Sequence, residues 1–526
     1  MPGLAALKAL RGATRVLPHQ QQIHVETLNP PVGGWNKRDA LPLMDPNDAI
    51  TLDNWIPDTN KLKLRGGYAL HATLDATATA VESLIQYVPQ NTANAKLFAA
   101  TPDKIWDVTA AATASSTAQV VTGLTNGRWQ HSQMVNTAGA HLILVNGADQ
   151  PRMYDGTTWA TCSVSATGLT RTNLVGVHNH MNRLWFIEEN QLRVWYLATS
   201  AIQGVLTSFI PPFTKGGKLM AMGSWTKDGG SGPDDFAVFV SSRGECCIYA
   251  GTDPSSASTS ALVGVYNIPD VIGRRCLVPA GAELGILTMQ GLVPLSQILG
   301  TTPGGAARTA FTDKISGQFK TQYFTSGTAF GWQVVEYPRG NLLLINVAIT
   351  ERATQHQYVL NINTGAWCRF TGLNGGCWSL LGDNIYFGSN DSKIYKYDTG
   401  SVDLSANIVG TVQHAYSLFG SPQTKRFTMA RPNFLAPSGY NVPVSIQTDY
   451  ADSAPLVTVL AASTGGTQWD SAQWDTFQFA GGVSPTLGWQ GIAGEGRAGS
   501  IAFGVSSGEE LVYNGVDVGF ERGNFL

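Results

Sequence analysis

Residues 383–400 read DNIYFGSNDSKIYKYDTG, two alternating aromatic runs joined by a polar turn. Side chains alternate across a strand, so Ile385 and Phe387 point one way and Tyr386 the other. Ser389, Asn390, Asp391 and Ser392 supply turn chemistry, and Ile394, Tyr395 and Tyr397 start the return strand. The stretch predicts a β-hairpin. A lone hairpin is marginal in water and needs neighbours of its own kind.

Those neighbours lie upstream. KLFAATPDKIWDVT (96–109), HLILVNGADQPRMYDGTTW (141–159), RLWFIEENQLRVWYLA (183–198), DDFAVFVSSRGECCIYAG (234–251), ELGILTMQGLVPLSQ (283–297) and the 341–370 stretch repeat the pattern. Ahead of most pairs stands another strand candidate: SLIQYV, HSQMV, LVGVHNH, LMAMGSW, RRCLVPA, WQVVEY and CWSLL. Some pairs are followed by one more, such as VPLSQIL or AWCRFTG. Three or four strands recurring every ~40–50 residues is the cadence of a β-propeller. No long 3.6-period segment between 80 and 400 offers the crossover helices a parallel sheet needs. The count gives about seven blades, or six if one unit is degenerate. KLKLRGGYAL (61–70) is placed to supply the strand missing from the last unit and so close the ring.

The fold class is therefore all-β: a propeller over 71–410, a β-sandwich-like domain over 411–526 with longer strands, and an N-terminal arm over 1–28. Residues 29–70 read as a separate segment with a short helix and a strand. Asp45 is placed to cap that helix, with Pro46 first and Asp48 near the third position. Ala49, Leu52 and Trp55 would then share a face, with Trp35 and Trp55 anchoring either on the propeller flank or on a sister subunit.

Composition narrows function. Of 526 residues, 43% are apolar and only 13% charged, against about 25% charged in an average soluble domain. The net charge of −3 lacks the basic excess by which proteins grip phosphates. Six scattered cysteines without a CxxC pair read as reduced, buried thiols. No run approaches the ~18 apolar residues of a membrane span. The opening MPGLAALKALRGATRVLP, with Lys8, Arg11 and Arg15 among leucines, reads as a docking arm, although an organellar presequence has a similar texture.

Chemistry is sparse. His178 and His180 project to one face of a predicted strand as a candidate metal pair, with no nearby carboxylate or thiol to complete a site. YDGTTW (154–159) and NTGAWCRF (363–370) resemble the Asp-box turn of sialidase-type propellers, a structural feature in those enzymes. Glycoside cleavage needs paired carboxylates, and Glu188, Glu189, Asp234 and Asp235 form no pair in sequence. Phosphate loops and nucleophile elbows are missing, so the chain reads as non-enzymatic and cofactor-free.

The segment GGWNKRDALPLMDPNDAITLDNWIPDTNKLKLRGGY resembles the N-terminal signature of tail hub, or nozzle, proteins of short-tailed bacteriophages, also called packaged-DNA stabilisation proteins. The matching positions are Gly33, Gly34, Asn36, Arg38, Asp39, Ala40, Asp48, Ala49, Leu52, Asn54, Trp55, Pro57, Arg65 and Gly66. The blade stretch at 141–159 and the ending FERGNFL are similar too. The resemblance implies a six-fold homo-oligomeric ring in the virion tail, assembled in the host cytoplasm below a head-to-tail adaptor. Fibre, spike or needle proteins would attach, and double-stranded DNA would pass without sequence-specific binding. Trp35, Arg38, Asp39, Trp55 and Arg65 are then the expected assembly residues. A generic propeller interaction scaffold and a tail-associated glycan-cleaving enzyme are the alternatives.

Overall fold

A computed structural model describes residues 23–75, 79–114, 117–228, 233–254, 256, 259–280, 283–300, 310–436, 442–451, 460–461, 484–486 and 488–523. The basic arm before Ile23 lies outside them. Seven small antiparallel sheets follow one another around an axis, each built in sequence order from the inner strand outward. The inner strands are Ser83–Tyr87, Gln130–Asn136, Leu174–His180, Leu219–Asp228, Leu277–Ala280, Gln333–Tyr337 and Gly375–Leu381. We number the blades 1 to 7 in that order. The propeller is seven-bladed, and the six-bladed alternative falls.

Blade 7 contains the hairpin at 383–400 and takes its fourth strand from Tyr68–Thr73, which pairs antiparallel with Lys393–Tyr397. Tyr68 lies opposite Tyr397 and Leu70 opposite Tyr395, so the chain closes the ring with residues from both of its ends. The closing strand starts at the end of the expected stretch, whereas Leu62–Leu64 belongs to another sheet. The aromatic alternation of the hairpin now has a physical reason. Phe387 packs edge-on against Tyr68 at 5.2 Å and near Trp378 at 4.8 Å, and such contacts hold neighbouring strands together. Between blades, apolar layers such as Ile85, Phe98, Leu142 and Leu144 are fully buried. Cys246 and Cys247 face opposite sides of one strand, into different interblade layers, and all six thiols are free and buried.

Blade 5 departs from the repeat. Among the described residues it has three strands, and VPLSQIL, expected as a strand, turns into the helix Leu295–Gly300. A second helix, Ser316–Ser326, buries Phe319 against Tyr358 at 5.2 Å.

The sandwich is built from both chain ends. Val512–Arg522 pairs with Lys425–Ala436 on one edge and with Ile23–Leu28 and Leu62–Leu64 on the other. Facing it, Ala406–His414 pairs with Gly499–Ser507 and with Asp48–Asp53. Ile23–Leu28, read from sequence as arm, is thus a sandwich strand. The predicted helix at 45–55 is a strand as well. Asp45 caps only a turn, accepting from the Asn47 amide at 2.8 Å, before Asp48–Asp53 runs extended.

His414, 1% exposed, holds its Nε2 2.8 Å from the Tyr513 hydroxyl between the sheets. Burial pushes its pKa down to about 4. The unfolded chain titrates near ~6.5 and takes up the proton first, so stability is whole above that pH and falls as pH drops toward 4. Denaturant titrations at pH 7 and 4.5 should show His414→Gln losing ~2–3 kcal/mol less than the parent between the two conditions.

Candidate functional site

The residues carrying the signature do two jobs inside the chain. In the first cluster, the buried Asn36 amide donates to Asp39 at 2.8 Å and to Asp48 at 2.7 Å. Lys314, from the insertion after blade 5, reaches Asp48 at 2.7 Å and the Gly33 carbonyl at 3.1 Å. Arg38 donates to Asp39 at 2.7 Å and also pairs with Asp313. The Arg38 and Asn36 hydrogen bonds hold the Asp39 carboxyl down at about 2. Gly34 must be glycine here: its φ is +85°, and an added Cβ would sit 2.7 Å from the Trp367 backbone. Trp35, 2% exposed, packs edge-on against Tyr358 at 5.3 Å under the Arg369 guanidinium.

The second cluster joins sandwich to propeller. Asn54, at φ 62°, donates to the Val409 carbonyl at 2.7 Å and accepts from the Thr371 amide at 2.9 Å. Arg65 grips Asp403 with two bonds of 2.8 and 2.6 Å and Asn54 with a third of 2.9 Å. Arg369 makes a fork of two 2.7 Å bonds to Asp53. Of the five expected assembly residues, Trp35, Trp55 and Arg65 are buried within their own chain. An apolar ring and a paired guanidinium gain more from this interior than from an exposed patch. Arg38 and Asp39 remain at the surface.

His178 and His180 do share a face, both meeting the Ser224 hydroxyl, at 3.0 and 2.8 Å. Burial pushes His178 down to about 4, with His180 adding to the effect. Among the described residues no three His, Cys, Asp or Glu side chains gather into a metal set. The weighed carboxylates are separately engaged: Glu188 with Arg193 and Trp195, Glu189 with Lys218 and Arg274, Asp235 with Thr226. The Asp234 side chain lies outside the described residues.

A further feature was not read from the sequence. The inner strands surround a bore holding two adjoining cavities of about 230 and 800 Å³. At the end where inner strands begin, the bore is stoppered. Arg275 reaches from ahead of blade 5 across to blades 1 and 2, meeting the Ser83 hydroxyl at 2.8 Å and the Trp129 carbonyl at 3.2 Å. Arg128 of blade 2 pairs with Glu351 of blade 6, while Glu82 of blade 1 takes both Arg128 and Arg352. The ring of Phe330 lies 4.8 Å from both the Arg128 and the Arg275 guanidinium carbons. The sequence signal for this cluster is charge placed directly before an inner strand in a chain poor in charge, as in ESLIQYV, GRWQHSQ and GRRCLVPA.

No protein-family profile matches the sequence, and no curated protein does. Similar solved structures include the Cps50 (Swd1) β-propeller domain of Myceliophteria thermophila, 12% identical over 63% of this chain and 99% of that one, with a TM-score of 0.40. Raptor of Chaetomium thermophilum is 12% identical over 64% of this chain and 29% of its own, at 0.41. YCF48 of Cyanidioschyzon merolae is 9% identical over 63% and 98%, at 0.36. None of these three is a tail protein, and likeness this loose carries nothing about function. By its own strand order, the chain has the seven-bladed β-propeller fold that diverse proteins use.

Proposed function

We propose that this protein is a non-catalytic assembly scaffold and, more specifically, a subunit of a closed ring in the tail of a short-tailed phage. One observation carries the reading: the residues that resemble the tail hub signature lock the propeller and the sandwich together, through Asn36–Asp48–Lys314 and Asn54–Arg65–Asp403. A head-to-tail ring closes only if every subunit presents its two faces at one fixed angle. The outer strand of blade 4, Ser260–Asn267, supports the same reading. Among the described residues its far edge is unpaired, and it carries Leu262 and Val263 about half exposed; such edges call for cover.

In this reading DNA does not travel along the propeller axis. A duplex whose major groove alone is ~12 Å wide has no room in an 800 Å³ cavity stoppered by arginines. The conduit is the opening enclosed by the ring of copies. Native mass spectrometry of the purified 56.1 kDa chain, alone and with its adaptor, tests this. A six-copy ring is expected. A monomer under both conditions at micromolar concentration returns the generic scaffold, and turnover of bacterial glycans returns the enzyme. Arg38→Glu should deplete the ring while changing chain stability by less than ~1 kcal/mol, because the Arg38 pairs are exposed and screened.

A further inference from the structure

The stoppered end of the bore holds a cation that no carboxylate pairs with among the described residues. Arg275 lines the 230 Å³ cavity together with Arg274, His131 and His178. Its Nη2 is spent on the Ser83 hydroxyl and on the Trp129 and Glu82 carbonyls. Its Nη1 lies 3.5 Å from Gln333 Oε1, an atom that already accepts from the Trp378 amide. Among the described residues no Asp or Glu oxygen comes within ion-pair distance of this guanidinium. The nearby acids are committed elsewhere: Glu82 to Arg128 and Arg352, Glu351 to Arg128, and Glu189 to Arg274 and Lys218.

A half-buried cation without a directly paired carboxylate is costly, and burial pulls the Arg275 pKa down although the Glu82 charge acts the other way. The Phe330 face offsets part of that cost. The same cavity also carries apolar lining from Leu84, Val175, Met222, Leu277 and Val334, interspersed with Gln130 and Gln333. A ligand with one anionic end and a short apolar body matches both surfaces.

We propose that the stoppered end of the propeller bore is an oxyanion site, taking the carboxylate or phosphate group of a small ligand, with Arg275 as counter-ion and Arg274 and His131 beside it. The site goes beyond ring assembly and does not rest on it. The test titrates the full chain at pH 7 with hexanoate, with inorganic phosphate, and with hexanol as the uncharged control. Melting temperature and the imidazole resonances of the histidines are the two readouts. Binding predicts a saturable rise of about 2 °C with an anion and none with hexanol, and a shift of the His131 resonance. Response to hexanoate alone assigns the site to organic acids, and response to phosphate alone to phosphate groups. Phosphate also stabilises proteins by exclusion from their surface, but that effect does not saturate and leaves His131 unmoved. Arg275→Gln should weaken binding at least ~10-fold, and Arg275→Lys less, as charge is kept. If Arg275→Gln does not fold, the parent's imidazole shifts decide. Silence of both readouts at tens of millimolar anion, or unchanged affinity in Arg275→Gln, overturns the proposal.

Discussion

Trp55→Ala should cost the protein ~3–5 kcal/mol, read as a lower denaturant midpoint for the sandwich. The indole is fully buried between the two sheets, with Phe434, Phe503 and Tyr513 at centroid distances of 6.2–6.4 Å. Among the described residues its Nε1 has no hydrogen-bond partner, so the loss is one of packing and cavity rather than of a polar contact. Gly410 supports the ring from below: a Cβ there would lie 2.6 Å from Trp55 Nε1. Gly410→Ala should therefore destabilise too, by overpacking, at ~1–3 kcal/mol. Trp55→Phe should recover more than half of the alanine loss, since a smaller ring still fills most of the space. If alanine unfolds at the parent's midpoint and only the oligomer changes, the indole is an interface residue after all.

Why Trp55 invited a different reading is visible in the backbone. Ala49, Leu52 and Trp55 are all buried, and spacing of three suggests a helix face. The strand Asp48–Asp53 reaches the same spacing by two irregularities. A bulge between Ala49 and Thr51 shifts the alternation by one residue, and Asn54 in the left-handed region shifts it again before Trp55. Asp45 and Pro46 look like a cap because turns and helix starts share chemistry. The propeller was legible because its apolar strands and turn residues recur at a regular spacing, a cadence that survives the bulges several of those strands carry. Blade 5 was less legible because VPLSQIL is apolar enough for either state, and length alone does not arbitrate. The site was legible only as a list. Sequence singled out Arg38, Asp48 and Arg65, but their partners Asp313, Lys314 and Asp403 lie hundreds of residues away. The stopper is harder still, since Arg128, Arg275 and Phe330 meet only when the ring closes.

Arg65→Ala should be as damaging as the tryptophan change, ~3–5 kcal/mol, by a different route. The Arg65 side chain is 1% exposed and that of Asp403 13% exposed, with two short bonds between them. Removing the guanidinium leaves the carboxylate half-enclosed without a counter-charge, and also strips a donor from the Asn54 oxygen and the Thr371 carbonyl. Asp403→Asn is the milder reciprocal change, because the amide oxygen still accepts one bond. The double variant Arg65→Met/Asp403→Leu should be less destabilised than Arg65→Ala alone, since no charge is stranded. Its residual deficit isolates what Arg65 does beyond the pair: it ties Asn54, the Gly66 carbonyl and Thr371 where sandwich meets propeller. That difference bears on function directly. If the double variant is stable yet no longer forms a ring, the junction sets the angle between domains rather than merely holding them folded. If it forms the ring normally, the angle is fixed elsewhere, at the Asp53–Arg369 fork or the Asp48–Lys314 pair.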